Sequence, residues 1–102
     1  MNIQFYSKNI ELNTQIKSYV QEKIGGLEKY DSQIIDCRID LSKNIHHKKG
    51  DVYRVEVNIK LAHNKKLIRA VVMAENLMSG IDQVKDKLQR QITKTKDKIK
   101  NR

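Results

Sequence analysis

The stretch Tyr53-Arg54-Val55-Glu56-Val57-Asn58-Ile59-Lys60-Leu61 decides the fold. Its odd positions are apolar or aromatic and its even positions are charged or polar. Strand side chains alternate between two faces, so this is a half-buried strand with one wet face. A helix over the same residues would scatter the four aliphatics round its circumference. Downstream, Ala62-His63-Asn64-Lys65 makes a short turn and residues 67 to 74 supply a second arm, which predicts an antiparallel hairpin. Both alternating sets of that arm are apolar, so the pattern leaves its facing open. Upstream, period two returns from Gln33: Ile35, Cys37, Ile39 and Leu41 point one way, and Ile34, Asp36, Arg38 and Asp40 the other. Between these strands, residues 43 to 51 are polar and end in Gly50-Asp51, which reads as a loop.

Further out the period changes. Residues 2 to 7 read as a short first strand with Ile3 and Phe5 on one side. Asn13 or Thr14 can cap a helix, because either side-chain oxygen accepts the unpaired N–H groups of a first turn. Ile16, Tyr19, Val20, Ile24 and Leu27 then recur at helical spacing. Gly25-Gly26 costs that helix about 1 kcal/mol per glycine relative to alanine. The stripe carries on to Leu27, so the helix is expected to run through the glycines, as a tolerated cost or a close approach to the sheet. At the other end, Leu77, Ile81, Val84, Leu88, Ile92, Thr95 and Ile99 line one side of a long helix. The expected fold is α+β: β-α-β-β-β-α, a two-layer sandwich with a four-stranded sheet and two helices packed on one face.

A chain of 102 residues with 38% hydrophobic and 32% charged residues is one small domain with a modest core. No apolar run approaches the ~18 residues of a membrane span, and the first residues lack a signal peptide's pattern. The lone Cys37 rules out an intrachain disulfide and a multi-cysteine zinc site. A cytoplasmic protein of one domain, residues 1–102, is expected. The net charge of +9 is uneven: residues 1 to 42 carry five basic and six acidic side chains, residues 43 to 102 carry 16 and 6. Such asymmetry points to a polyanion. A lysine-rich solvated surface would give the same totals, so placement has to decide.

On the last helix, Lys87, Arg90, Lys94 and Lys98 follow at spacings of three, four and four, one row beside the apolar stripe, with Gln83 and Gln91 close to it. Asp86 and Asp97 fall outside the row, and Lys85 and Lys96 lie on the opposite flank. Like charges at i,i+4 destabilise an isolated helix, whereas steps of roughly 5–6 Å suit a phosphate track. Lysines snorkelling beside an apolar face are the plainer alternative. Lysine predominance favours backbone contacts over base readout. Lys43, His46, His47, Lys48 and Lys49 form a second basic group, better suited to phosphate than to a metal, since the histidines lack helical ligand spacing. Lys65, Lys66 and Arg69 add charge at the hairpin. Cys37 on a core face reads as packing rather than as a nucleophile. No phosphate loop, nucleophile elbow or zinc-protease motif occurs, so no enzyme activity, cofactor or small-molecule substrate is expected. With five aromatics and no Trp, stacking platforms for single strands are unlikely to form, and structured RNA read by shape and phosphate fits better.

Several segments carry a family resemblance: Asn9-Ile10-Glu11-Leu12, Leu27-Glu28-Lys29-Tyr30, Ala74-Glu75-Asn76-Leu77-Met78, Ile81-Asp82, and Asp86-Lys87-Leu88-Gln89-Arg90-Gln91 with Lys94 following. In order and spacing the chain resembles the ribosome hibernation-promoting factor family, which includes the ribosome-associated inhibitor A proteins and was once described as sigma-54 modulation proteins. The resemblance implies a fold arranged like a double-stranded RNA-binding domain. It implies binding to the small ribosomal subunit and the 70S ribosome, in the decoding channel against 16S rRNA. There the protein would exclude mRNA and tRNA and inhibit translation in resting or stressed cells, as a monomer off the ribosome. The family's RNA-facing positions fall on Lys87, Arg90, Gln91 and Lys94, and on Lys23 and Lys29 of the first helix; Lys98 comes from the helical row alone. Where the family commonly has an aromatic and small residues entering the last helix, this chain has Met78-Ser79-Gly80. The chain reads as a short family form or the N-terminal domain of a longer one. A protein-interaction regulator, such as a modulator of sigma-54, is the alternative.

Overall fold

The computed structural model describes residues 1–30, 33–46, 49–62 and 67–100, with the side chains of the last helix through Lys94. The elements follow in the expected order: β1 (Asn2–Lys8), α1 (Thr14–Gly25), β2 (Ile34–Lys43), β3 (Tyr53–Leu61), β4 (Leu67–Ala74) and α2 (Leu77–Lys100). The sheet order is β1-β2-β3-β4, with β1 parallel to β2 and the other pairs antiparallel. The parallel pair requires a crossover, which α1 supplies.

One core joins the layers. Val20, Ile24 and Leu27 meet Cys37, Ile39 and Leu41 of β2, the odd residues of β3 from Val55 to Leu61, and Ile68, Ala70, Val72 and Ala74 of β4. From α2, Leu77, Ile81, Val84, Leu88 and Ile92 close it. The facing of β4 is thereby settled: Leu67, Arg69, Val71 and Met73 lie on the opposite side. Each helix starts on an asparagine. The Asn13 and Asn76 side-chain oxygens accept from Ile16 and Ser79 N–H, both at 2.8 Å, satisfying donors that a first turn leaves unpaired.

Three details depart from the sequence reading. Ile34 is buried and Ile35 exposed, because a register shift between Ile34 and Asp36 inserts one residue and swaps the two faces there. The α-helix ends at Gly25, and Gly26–Lys29 continue as a tighter 3₁₀ turn. A Cβ on Gly25 or Gly26 would meet nothing within 4 Å, so neither glycine permits a close approach. That role belongs to Gly80, where a Cβ would stand 2.8 Å from Val55 Cγ2 and 3.4 Å from Ala74 Cβ. Gly80 lets α2 sit down on β3 and β4. Thr95 and Ile99, expected on the apolar stripe, have side chains outside the described residues, as do Lys96 and Asp97.

Candidate nucleic-acid interface

β4 is an edge strand, and an edge presents unpaired backbone groups. The flank of α2 reaches over it. Lys87 Nζ donates to the Val71 carbonyl at 3.2 Å, and Gln91 Nε2 to the Arg69 carbonyl at 3.0 Å. The match is geometric. Four helical residues advance about 6.0 Å and two strand residues about 6.6 Å, so an antiparallel helix sets every fourth side chain opposite every second carbonyl. Lys87 stays exposed, and an ammonium has three N–H donors, so one strand carbonyl leaves donors for another ligand. Arg90 and Lys94 turn further out, are exposed, and line a shallow surface hollow with Gln89 and Thr93. Among the described residues none of these three cations has an ion-pair partner. Lys85, on the other flank, donates to Gln89 Oε1 at 2.9 Å and lies 3.9 Å from Asp86.

The structure thus gathers Lys87, Arg90, Gln91 and Lys94, and sets the two α1-side cations apart. Lys23 is half-buried with its ammonium 5.7 Å from the Tyr19 ring centroid, and Lys29 lies 5.2 Å from that of Tyr30. The Tyr19 hydroxyl donates to Asp82 Oδ1 at 2.6 Å, joining α1 to α2. That hydrogen bond to a carboxylate, helped by burial, raises the phenol's pKa. Asp82 lies about 140° round α2 from Lys87, so α1 and the cationic row take opposite flanks. The Lys98 side chain lies outside the described residues.

The open face of the sheet holds a second set of cations that sequence reasoning missed. Register aligns four rows across it: Lys8, Ser42, Arg54, Met73; Tyr6, Asp40, Glu56, Val71; Gln4, Arg38, Asn58, Arg69; and Asn2, Asp36, Lys60, Leu67. The acidic second row stands between two basic ones. Glu56 Oε1 accepts from Arg54 at 2.6 Å and from Arg69 at 2.9 Å, and Oε2 from Asn58 at 3.0 Å. Arg69, then Asn58 and Arg54, hold the Glu56 carboxyl down at about 2. Arg38 pairs with Asp40 at 3.1 Å and lies 4.2 Å from the Tyr6 ring centroid. The signal in the sequence was the polar set of β3, but its meaning depends on a cross-strand register that one strand does not reveal. Cys37 is buried, and burial pushes its thiol up to about 12, which leaves it without a thiolate at neutral pH.

Residues 3–100 match the family described as sigma 54 modulation protein / S30EA ribosomal protein. The chain belongs to that family. Curated relatives include the ribosome hibernation promotion factor of Bacillus subtilis (strain 168), 32% identical over 97% of this chain and 50% of its own. That of Deinococcus radiodurans is 31% identical over 91% and 48%. The chain therefore spans about half the length of these family members. Among solved structures, the Thermus thermophilus Protein Y N-terminal domain superposes with a TM-score of 0.79 at 26% identity, covering 93% of this chain and 99% of that one. A ribosomal subunit interface protein from Coxiella burnetii, 20% identical, shares the fold with a TM-score of 0.81 over 95% and 99%. The β-α-β-β-β-α architecture of this family member is thus that of known relatives.

Proposed function

We propose that this chain is a ribosome-binding hibernation domain, spanning residues 1–102, that occupies the decoding channel of the small subunit through 16S rRNA phosphates. Occupancy there excludes mRNA and tRNA and inhibits translation in resting or stressed cells, in the cytoplasm, without enzymatic chemistry or cofactor. Off the ribosome it acts as a monomer. The observation that carries the reading is the acid-free row on the outer flank of α2, in a family whose relatives are named for ribosome hibernation. Arg90 and Lys94 supply cations free for phosphate, and Lys87 offers its remaining donors. Gln91 braces the helix on the strand edge while it borders the same RNA. Lys98 extends the row, and Lys23 and Lys29 contact RNA from the other helix. Unpaired cations on a rigid helix need no rearrangement before they meet a phosphate, and several such contacts make affinity steeply salt-dependent.

The test is co-sedimentation of the purified chain with 30S subunits and 70S ribosomes across a salt series, with translation assayed in parallel. Salt-sensitive binding with inhibition is the expected result. No co-sedimentation at low salt would overturn the reading and favour a protein partner.

A further inference from the structure

The basic loop after β2 takes on meaning at the hairpin end of the open sheet face. There a hollow is lined by Lys8, Ser42, Lys43, Asn44, His46 and Arg54, with Val52 and Met73 at its floor. No carboxylate lines it. The neighbouring hollow on the same face does contain Asp40 and Glu56. The frame is built by specific bonds. Asn9, at φ 61°, donates from Nδ2 to the Lys43 carbonyl at 3.2 Å and ties the end of β1 to the end of β2. Asn44 closes the hairpin, its N–H donating to the Val52 carbonyl at 2.8 Å and its side-chain oxygen accepting from His46 N–H at 2.9 Å. Arg54 is half engaged, since Glu56 is shared between two arginines and a guanidinium has five donors. Lys43 keeps its ammonium 5.5 Å from the Tyr53 ring centroid.

We propose that this hollow is a second phosphate-binding site, taking the phosphodiester backbone of an RNA segment other than the one on α2. Its chemistry is that of backbone contacts: point-charge lysines, one guanidinium and neutral amide and hydroxyl donors. Its position selects the polyanion. The hollow opens on the sheet face away from the helices, whereas the α2 row lies in the helix layer. A flat membrane surface reaches one face at a time. A folded RNA encloses both, so the domain is held between two RNA segments. The inference rests on the ribosome reading for the identity of that RNA.

The experiment pairs two variants of the intact chain, Lys8→Gln with Lys43→Gln, and Lys87→Glu with Arg90→Glu and Lys94→Glu. Loss of the two hollow lysines is expected to weaken 30S binding roughly tenfold and to lower the log–log salt slope by about two. Unchanged affinity and slope, beside collapse in the α2 variant, would overturn the hollow and leave the ribosome reading standing. If wild type fails to bind ribosomes, that reading falls, and an NMR titration of wild type with a folded RNA hairpin decides the hollow. Amide shifts at Lys8, Asn9, Asn44 and His46 that persist in the α2 variant support it. Shifts confined to α2, or shifts at the hollow with inorganic phosphate and none with RNA, overturn it. The same titration decides should the lysine variant lose its fold.

Discussion

The outer flank of α2 and the open face of the sheet carry the same kinds of residue and treat them in opposite ways. On the sheet, Arg38, Arg54 and Arg69 each have a carboxylate within hydrogen-bonding distance, supplied by the next row across the strands. On α2, Lys87, Arg90 and Lys94 have none among the described residues, and the nearest backbone acceptor is a strand carbonyl. A compensated arginine holds a fold together, whereas an uncompensated row holds potential for a ligand. Charge counts alone would have given the two regions equal weight. What separates them is the acid between the bases, and that is set by cross-strand register.

The largest way to break the contrast is charge reversal on α2. Lys87→Glu with Arg90→Glu and Lys94→Glu should lower ribosome affinity by at least about 100-fold at moderate salt, because three phosphate contacts and their counterion release are lost. The thermal transition should barely move, since all three side chains are exposed. Retained co-sedimentation in a folded triple variant would refute the interface.

Both regions depend on one seat, Gly80 against Val55. Gly80→Val should destabilise the domain by about 1–3 kcal/mol in a denaturant titration, since a Cβ already clashes with the stiff Val55 side chain. Helix propensity works the other way by less than about 1 kcal/mol. A variant as stable as wild type would mean that the packing there is loose.

Glu56→Gln sharpens the comparison by making the sheet face resemble the helix. Arg54 and Arg69 lose their shared carboxylate, so stability should fall by about 1 kcal/mol and RNA affinity at low salt should rise. The pH dependence has a definite sign. Glu56 titrates at about 2 in the folded state and near 4.3 unfolded, so its contribution is present above roughly pH 5 and lost as pH falls towards 2. The stability gap between wild type and Glu56→Gln, followed by urea titration at several pH values, should close over that window.

Much of this was legible in the sequence because it is local. The alternation of β3, the asparagine cap at Asn13 and the apolar stripe of α2 from Leu77 to Ile92 each depend on neighbours within a few residues, and the structure keeps all three. Ile34 and Ile35 show where that ends. Two adjacent β-branched residues fit either face, and only pairing with β3 selects the bulge that buries the first. The row on α2 was legible as a row. Its bracing by β4 was not, because Val71 and Arg69 meet Lys87 and Gln91 only once the helix packs antiparallel to the edge.

That bracing gives the smallest and most discriminating test. The Gln91 amide satisfies a carbonyl at the sheet edge, and removing it leaves that carbonyl to water, since the edge is accessible. Gln91→Ala should therefore cost about 0.5–1 kcal/mol of stability, within the net range of one exposed hydrogen bond. The amide carries no charge, so the salt slope of ribosome binding should stay at its wild-type value. Arg90→Gln should do the reverse, leaving stability within about 0.5 kcal/mol and lowering the slope by about one. If Gln91→Ala changed the slope and Arg90→Gln changed the melting temperature, the division of α2 into bracing and binding residues would be the wrong way round. The two variants differ from wild type by one side chain each and sit on adjacent positions of one helix. A difference between them can only come from where each side chain points: Gln91 to the strand edge, Arg90 to solvent.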